Sequence, residues 1–301
     1  MEVRTPLHAD AWDRALTNHP DRAFARYISH GLRHGFRIGF DHCSLLKSAS
    51  SNMGSAHQHP AVVREYIQKE LSLGRMLGPF PNAAALPPIH ISQFGVIPKG
   101  HNTGKWRLIT DLSFPLNRSV NDGIDTSLCS LSYISVDQVA DIVTQYGRDA
   151  LLAKVDIESA YRLIPVHPQD RPLQAVVWDS QIFIDPMLPF GLHSAPKIFN
   201  AVADALNWYL HQCGIPHVLH YLDDFIIIAP PDFPICQEFV AILDRVCRDL
   251  GIPIAEHKRD GPPTCIVFLG IEIDTIAGEL RLLTDKLHHF QALLHEWGDC
   301  N

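Results

Sequence analysis

The stretch HVLHYLDDFIIIAP, residues 217–230, constrains the fold more than any other part of the chain. Val218, Leu219, Tyr221 and Leu222 precede two adjacent aspartates, and Phe225, Ile226, Ile227 and Ile228 follow them. Runs rich in β-branched and aromatic residues belong to buried strands. Tight hairpin turns favour Asn-Gly or Asp-Gly because they need positive φ, so Asp223-Asp224 fits such a turn poorly. Two carboxylates set beside such a core repel each other and lose hydration, which favours protonation of one of them. A bound divalent cation removes both difficulties. An exposed turn is the plainer alternative.

A partner for the pair stands upstream. In LLAKVDIESAY, Asp156 ends the short, nearly continuous apolar run 150–157. If the two strands are neighbours, three carboxylates converge at one edge of a sheet. Oxygen-only clusters suit Mg²⁺, and two such ions about 3.5–4 Å apart serve phosphoryl transfer. The alternative is that Asp156 caps a strand end.

The rest of the chain supplies a setting. Residues 9–47 look helical but loosely patterned, and SASSNMGSA (48–56) reads as a small-residue linker. Helical periodicity follows over 60–76, then a loop rich in Pro and Ala, GPFPNAAALPPIH. SQFGVIP and KWRLITDLS read as strands joined by KGHNTG, a turn of hairpin type. Residues 135–147 form an amphipathic helix ended by Gly147. Short strands are expected in LIPVHP, LQAVVWD and QIFIDPML. A helix then starts at the N-cap candidate Ser194 and ends at Gly214. Phe239, Ile242, Leu243, Val246 and Leu250 mark another helix, stopped by Gly251, and CIVFLGIEID with GELRLL looks like a last hairpin. Strands and helices mix without regular βαβ repetition, so the expected class is α+β, an antiparallel sheet backed by helices on one face.

Composition sets outer limits. Hydrophobic residues at 46% and charged residues at 19% describe a globular chain of 301 residues, long enough for two or three subdomains. No apolar run approaches the roughly 20 residues of a membrane span, and the polar N-terminus does not look like a signal peptide. The seven cysteines are scattered and read as reduced intracellular thiols. Residues 1–120 hold 14 Lys+Arg against 8 Asp+Glu, and residues 121–301 hold 11 against 25. That split fits a basic half gripping phosphates and an acidic half holding metal, or chance segregation on a solvated surface.

Six ordered blocks, spanning about residues 90 to 284, carry a family resemblance. YLDDFIIIA is similar to the Tyr-x-Asp-Asp signature of reverse transcriptases, and KVDIESAY resembles their first metal-ligand strand. LPFGLHSAPKIFN, GIPIAEHK and VFLGIEID resemble the template-side segment, the nucleotide-side lysine block and the primer grip. GVIPKGHNTGKWRLITDLSFPLN resembles the fingertip hairpin, and the wording is closest to retrotransposons of the tyrosine-recombinase (DIRS) type.

The resemblance implies a right-hand polymerase with fingers over 61–129 and 164–194 and a palm over 130–163 and 195–284. Residues 1–60 would be a helical extension and linker. Residues 285–301 start a thumb that is otherwise absent, with no room for the ribonuclease H that the family commonly carries. The implied metal ligands are Asp156, Asp223 and Asp224 with the Ile157 carbonyl, holding two Mg²⁺ ions, or Mn²⁺ in their place. Lys99 and Arg107 would contact the triphosphate, and Tyr161 would lie under the sugar and exclude a 2′-hydroxyl. Phe190 and Gly191 would contact the nucleotide, and Lys258 would protonate the departing pyrophosphate. Phe268, Leu269 and Gly270 would position the primer end. On patterning alone, Tyr161 reads equally as a core tyrosine, Lys99 and Arg107 as solvated hairpin charges, and Lys258 as a surface lysine.

The implied partners are dNTPs and a primed RNA or DNA template, with no membrane, in the cytoplasm or nucleus. Two alternatives remain, a catalytically idle relative that binds nucleic acid and a templated RNA polymerase. Tyr161 and VFLGIEID argue against the second. His211, Cys213, His217 and His220 superficially invite zinc, but they straddle a helix end and a strand, with no second ligand cluster.

Overall fold

The computed structural model describes residues 4–41, 43, 46, 48–49, 51–100 and 104–298. In chain order it begins with helices α1 (Ala9–Ala15), α2 (Arg22–His34), α3 (Gly54–Gln58) and α4 (Pro60–Ser72), then strands β1 (Leu77–Phe80), β2 (Ile91–Pro98) and β3 (Trp106–Asp111). Next come α5 (Val136–Tyr146), β4 (Leu151–Asp156), β5 (Ala175–Trp178), β6 (Gln181–Ile184) and α6 (Ala195–Gln212). The remainder is β7 (Val218–Tyr221), β8 (Asp224–Ala229), α7 (Phe233–Leu250), β9 (Cys265–Phe268), β10 (Ile271–Asp274), β11 (Glu279–Leu282) and α8 (Thr284–Gly298).

The chain divides into two compact units. Unit one holds residues Met1–Leu131 and Ser159–Ala205, and unit two holds Ser132–Glu158 and Leu206–Asn301. Unit one is built on a five-stranded sheet in the order β1-β6-β5-β2-β3. Its pairs are antiparallel except β2 with β5, where Ile91 lies beside Ala175 and Ser92 beside Val176. Val63 and Ile67 of α4 pack on Phe94, Val96, Trp178 and Phe183 from one face of that sheet.

Unit two contains two three-stranded antiparallel sheets, β4-β8-β7 and β11-β10-β9. Leu152, Ile226 and Ile228 pack with Val139 of α5 and with Ile266, Phe268 and Ile273 of the second sheet. α5 starts where Ser135 and Gln138 form a reciprocal capping box, which satisfies two backbone N–H groups at its N-terminus. α7 starts at Asp232, whose carboxylate accepts from the Ile235 amide, and stops at Gly251 in the left-handed conformation (φ 77°).

Several expectations need correction. The small-residue stretch 48–56 contains the start of α3, and the Pro- and Ala-rich segment opens inside β1, which pairs with β6. LIPVHP makes single bridges, not a strand, because Pro165 and Pro168 lack the donors a ladder needs. The last hairpin is a three-stranded meander. Ser194 precedes α6, but its hydroxyl donates to the Ile38 carbonyl at 2.7 Å. The tip of the β2–β3 turn, residues 101–103, and Cys300 lie outside the described residues. Among the described residues, no helix is long and apolar enough to cross a membrane, and the described cysteines are free.

Candidate active site

In unit two, β4 and β8 pair with Val155 opposite Phe225 and Asp156 opposite Asp224. On the other side of β8, Tyr221 of β7 stands opposite Asp224. Leu222 and Asp223 therefore form the turn between them. Leu222 has φ 53°, a left-handed conformation that costs a leucine on the order of 1–2 kcal/mol. Local preference argues against this turn, and tertiary hydrogen bonds override it. The Asp223 carbonyl accepts from the Ile157 amide at 3.0 Å, which ties the turn to the end of β4. His220 is buried beneath it, with Nδ1 3.3 Å from the Leu222 carbonyl and its ring stacked on Phe225 at 5.1 Å. The result is three carboxylates at one end of a three-stranded sheet.

Their surroundings are unequal. Asp156 is 5% exposed, whereas Asp223 and Asp224 are half-buried. Burial pushes both Asp223 and Asp224 above the usual carboxylate range, the negative charge of Asp156 pushes the same way, and Lys258 partly opposes it. The Lys258 Nζ donates to Asp156 Oδ2 at 2.8 Å, and that hydrogen bond holds the lysine above its ordinary value. Lys154, also on β4, sends its Nζ to the Val267 carbonyl at 3.1 Å and lowers Asp224 by its charge. Among the described residues, no three His, Cys, Asp or Glu side chains are already gathered as a ligand set. The acids are neighbours, but Asp156 is turned to a lysine.

The segment after α7 runs along β4 and delivers that lysine. Glu158 donates to the Pro253 carbonyl and Ala255 to the Asp156 carbonyl, both at 2.9 Å. Lys154 and Asp260 exchange backbone hydrogen bonds at 2.8 and 3.1 Å. Between these ties, Glu256–Lys258 makes one tight 3₁₀ turn. In the second sheet, Phe268 is buried in the core, and Leu269 (φ 51°) and Gly270 (φ 76°) turn β9 into β10. As a leucine at positive φ, Leu269 matches Leu222 in kind.

Unit one carries the other candidates. Arg107 is exposed on β3 opposite Ile97 of β2, and the Lys99 amide donates to the Lys105 carbonyl at 2.8 Å near the hairpin end. Beside Arg107, the Trp106 ring packs against His59 at a tilt of 33°, with ring centroids 3.8 Å apart. Tyr161 lies on a 3₁₀ turn, its ring 5.0 Å from Phe190 and 5.4 Å from Phe199. Phe190 is 60% exposed. Gly191 has φ 87°, and an added Cβ would meet only the Thr110 carbonyl at 3.6 Å, so conformation and not crowding demands glycine there.

Sequence reading passed over Asn121. It is 2% exposed, and its Nδ2 donates to the Gly191 carbonyl and to Ser113 Oγ, both at 2.9 Å. Its Oδ1 accepts from the His193 amide at 3.0 Å. Asn121 therefore clamps the backbone on both sides of Leu192, immediately after Phe190–Gly191. Nothing in the polar run RSVNDG marks it, because the Gly191 and His193 backbone groups that it holds lie about 70 residues away.

A family model described as reverse transcriptase (RNA-dependent DNA polymerase) matches residues 97–273. The chain is 28% identical over 218 residues to a Gag-Pro-Pol polyprotein of Mason-Pfizer monkey virus, a match covering 66% of this chain and 11% of that polyprotein. It is 25% identical over 191 residues to the Pro-Pol polyprotein of feline foamy virus, covering 63% and 15% respectively. The chain thus spans a small fraction of the curated relatives it matches. Among solved structures, a foamy viral protease–reverse transcriptase in complex with double-stranded DNA superposes with a TM-score of 0.67 at 15% identity, covering 97% of this chain and 50% of that one. The same kind of protein in complex with an RNA/DNA hybrid gives 0.64 at 14%, covering 97% and 38%. The two share this chain's fold.

Proposed function

The chain belongs to the reverse transcriptase (RNA-dependent DNA polymerase) family, and on that footing we propose that it extends a primer 3′-hydroxyl with dNTPs on a nucleic-acid template. The primer 3′-hydroxyl releases its proton to solvent as its oxygen forms a bond to the α-phosphorus, the bond from that phosphorus to the oxygen bridging it to the β-phosphate breaks, and pyrophosphate leaves. The observation that carries this reading is the meeting of Asp156, Asp223 and Asp224 at the shared end of β4 and β8. In this reading residues 61–129 and 164–194 serve as fingers and residues 130–163 and 195–284 as palm.

The family generally uses divalent metal ions, and the donors present suit them. They are oxygen-only, half-buried or buried, and three negative charges face one contacting ammonium. Asp156 and Asp223 are the proposed ligands of two Mg²⁺ ions, with Asp224 and the Ile157 carbonyl beside them. When bound, such ions activate the attacking hydroxyl and screen charge on the departing pyrophosphate. The protein's own share is positioning. Arg107 and Lys99 hold the triphosphate, the arginine through a planar fork matched to phosphate oxygens. Tyr161 underlies the sugar and rejects a 2′-hydroxyl, while Phe190 and Gly191 contact the nucleotide. Phe268, Leu269 and Gly270 set the primer end, and Lys258 supplies a proton to the leaving group.

The test is extension of a labelled DNA primer on an RNA template with Mg²⁺ and dNTPs, using the chain beside Asp223→Asn. Extension by the wild type alone supports the reading. Equal extension by the folded variant, or none by a wild type that binds primer-template, overturns it.

A further inference from the structure

We propose that Lys258 is the built-in counter-ion of Asp156 and competes with a divalent cation for that carboxylate, so that metal binding requires the ammonium to swing out. The inference rests on reading the three aspartates as metal ligands. It adds an occupancy rule to that site.

The geometry makes Lys258 a placed feature and not a stray surface charge. Its turn is fastened to β4 on both sides, by the Ala255 amide on the Asp156 carbonyl and by the paired Lys154–Asp260 hydrogen bonds. The Lys258 amide itself donates to the Ala255 carbonyl at 2.8 Å. The backbone therefore holds the lysine opposite Asp156, while the side chain is 52% exposed and has water to move into. The carboxylate it meets is only 7% exposed, so the ammonium at 2.8 Å takes one of its few approaches.

Neighbouring cations are occupied elsewhere. Lys154 donates to the Val267 carbonyl, and Arg259 is held by Asp244 at 2.6 Å and Glu256 at 2.9 Å. One ammonium balances one of three acids, which leaves the cluster attractive to a second cation. Yet an ammonium and a divalent ion on one carboxylate repel each other at close range. The first must yield, and the freed ammonium is then available for the leaving pyrophosphate. Competition of this kind lets nucleotide phosphates assist metal binding, because they offer the displaced ammonium a new partner.

The experiment measures Mn²⁺ binding by the loss of the free-ion electron paramagnetic resonance signal, with no substrate and no turnover. It uses the full chain, Lys258→Met, Lys258→Arg and Asp156→Asn. Lys258→Met keeps most of the apolar stem and removes the charge. The expected result is binding tighter by about two- to fivefold in Lys258→Met, the range of a partly exposed ion pair, with Lys258→Arg at or below wild type. Thermal melts in chelator read the same pair from the other side, and Lys258→Met should melt lower than wild type there and gain more from Mn²⁺. If wild-type binding is lost in Asp156→Asn but Lys258→Met binds equally or more weakly than wild type, the competition is refuted and the ligand assignment stands. If no protein binds Mn²⁺, both fall.

Discussion

Each unit sets a cation among acids, and the two arrangements differ in closure. In unit one, Arg162 donates through Nε and Nη2 to Glu70 Oε2 at 3.1 and 2.8 Å and through Nη1 to Asp185 at 2.5 Å. All three side chains are nearly sealed from water, at 6%, 5% and 13% exposure. Burial pushes the Asp185 carboxyl up, and the guanidinium pulls it back. In unit two, Lys258 touches one of three acids and is half in water. The first cluster has its donors and acceptors matched and ties α4 to the Tyr161 turn and the end of β6. The second keeps unspent negative charge at an edge. A charge cluster that is finished serves the fold, and one left unfinished is where a ligand cation belongs.

Removing the cation in each cluster should separate these roles. Arg162→Met leaves the buried Glu70 and Asp185 carboxylates without their cation, with only the Met187 amide, among the described residues, still donating to Asp185, and breaking a buried pair costs about 3–5 kcal/mol. A urea melt should show that loss, with soluble yield falling alongside. A midpoint unchanged from wild type would mean that the acids find other donors and that the cluster is not structural. The matching change in unit two is Asp156→Asn, which should leave the melt near wild type while primer extension falls by about 10²–10³-fold or more. If the variant loses stability instead of rate, Asp156 is a structural acid.

A smaller effect distinguishes nucleotide grip from chemistry. Arg107→Ala removes an exposed charge in unit one and should raise the dNTP KM by about tenfold with kcat little altered, the loss of one charged hydrogen bond. Asp156→Asn should do the reverse. A kcat loss from Arg107→Ala without a KM change would move the arginine from binding to the reacting phosphate.

Much of this contrast could be read in the chain itself. β4 and the 217–230 hairpin are legible because apolar runs end abruptly in acid, and α5 and α7 because their C-terminal ends carry Gly147 and Gly251. What stayed hidden depends on partners far away in sequence. Arg162 stands 92 residues from Glu70, and Lys258 stands 102 from Asp156, so neither pairing leaves a local period. β1 hides in a proline-rich segment because its pairing with β6, Leu77 beside Ile184, outweighs weak strand propensity. The turn residue Leu222 is hidden for the opposite reason, since local preference points away from the conformation that the Ile157–Asp223 hydrogen bond enforces.

The smallest effects concern protons, and the two units should show them with opposite sign. Burial raises Asp224 above its ordinary value. The folded state therefore binds a proton more readily than the unfolded chain, and the stability this gives is complete below about pH 3.9 and lost as pH rises through the folded value. Asp224→Asn in chelator should thus stabilise at pH 7, by roughly 1 kcal/mol or less, and the advantage should vanish near pH 4. His90 is buried in unit one, burial holds it below its ordinary value, and neither ring nitrogen has a hydrogen-bond partner among the described residues. Here the unfolded chain binds the proton more readily, so stability is complete above about pH 6.5 and is lost as pH falls toward the folded value. His90→Phe should therefore outperform wild type increasingly below that pH, again by roughly 1 kcal/mol or less. Melts of both variants against wild type from pH 4 to 8 give two difference curves that slope in opposite directions. Parallel curves would mean that the acids at the β4–β8 end are already balanced, and that the unfinished charge inferred for unit two is not there.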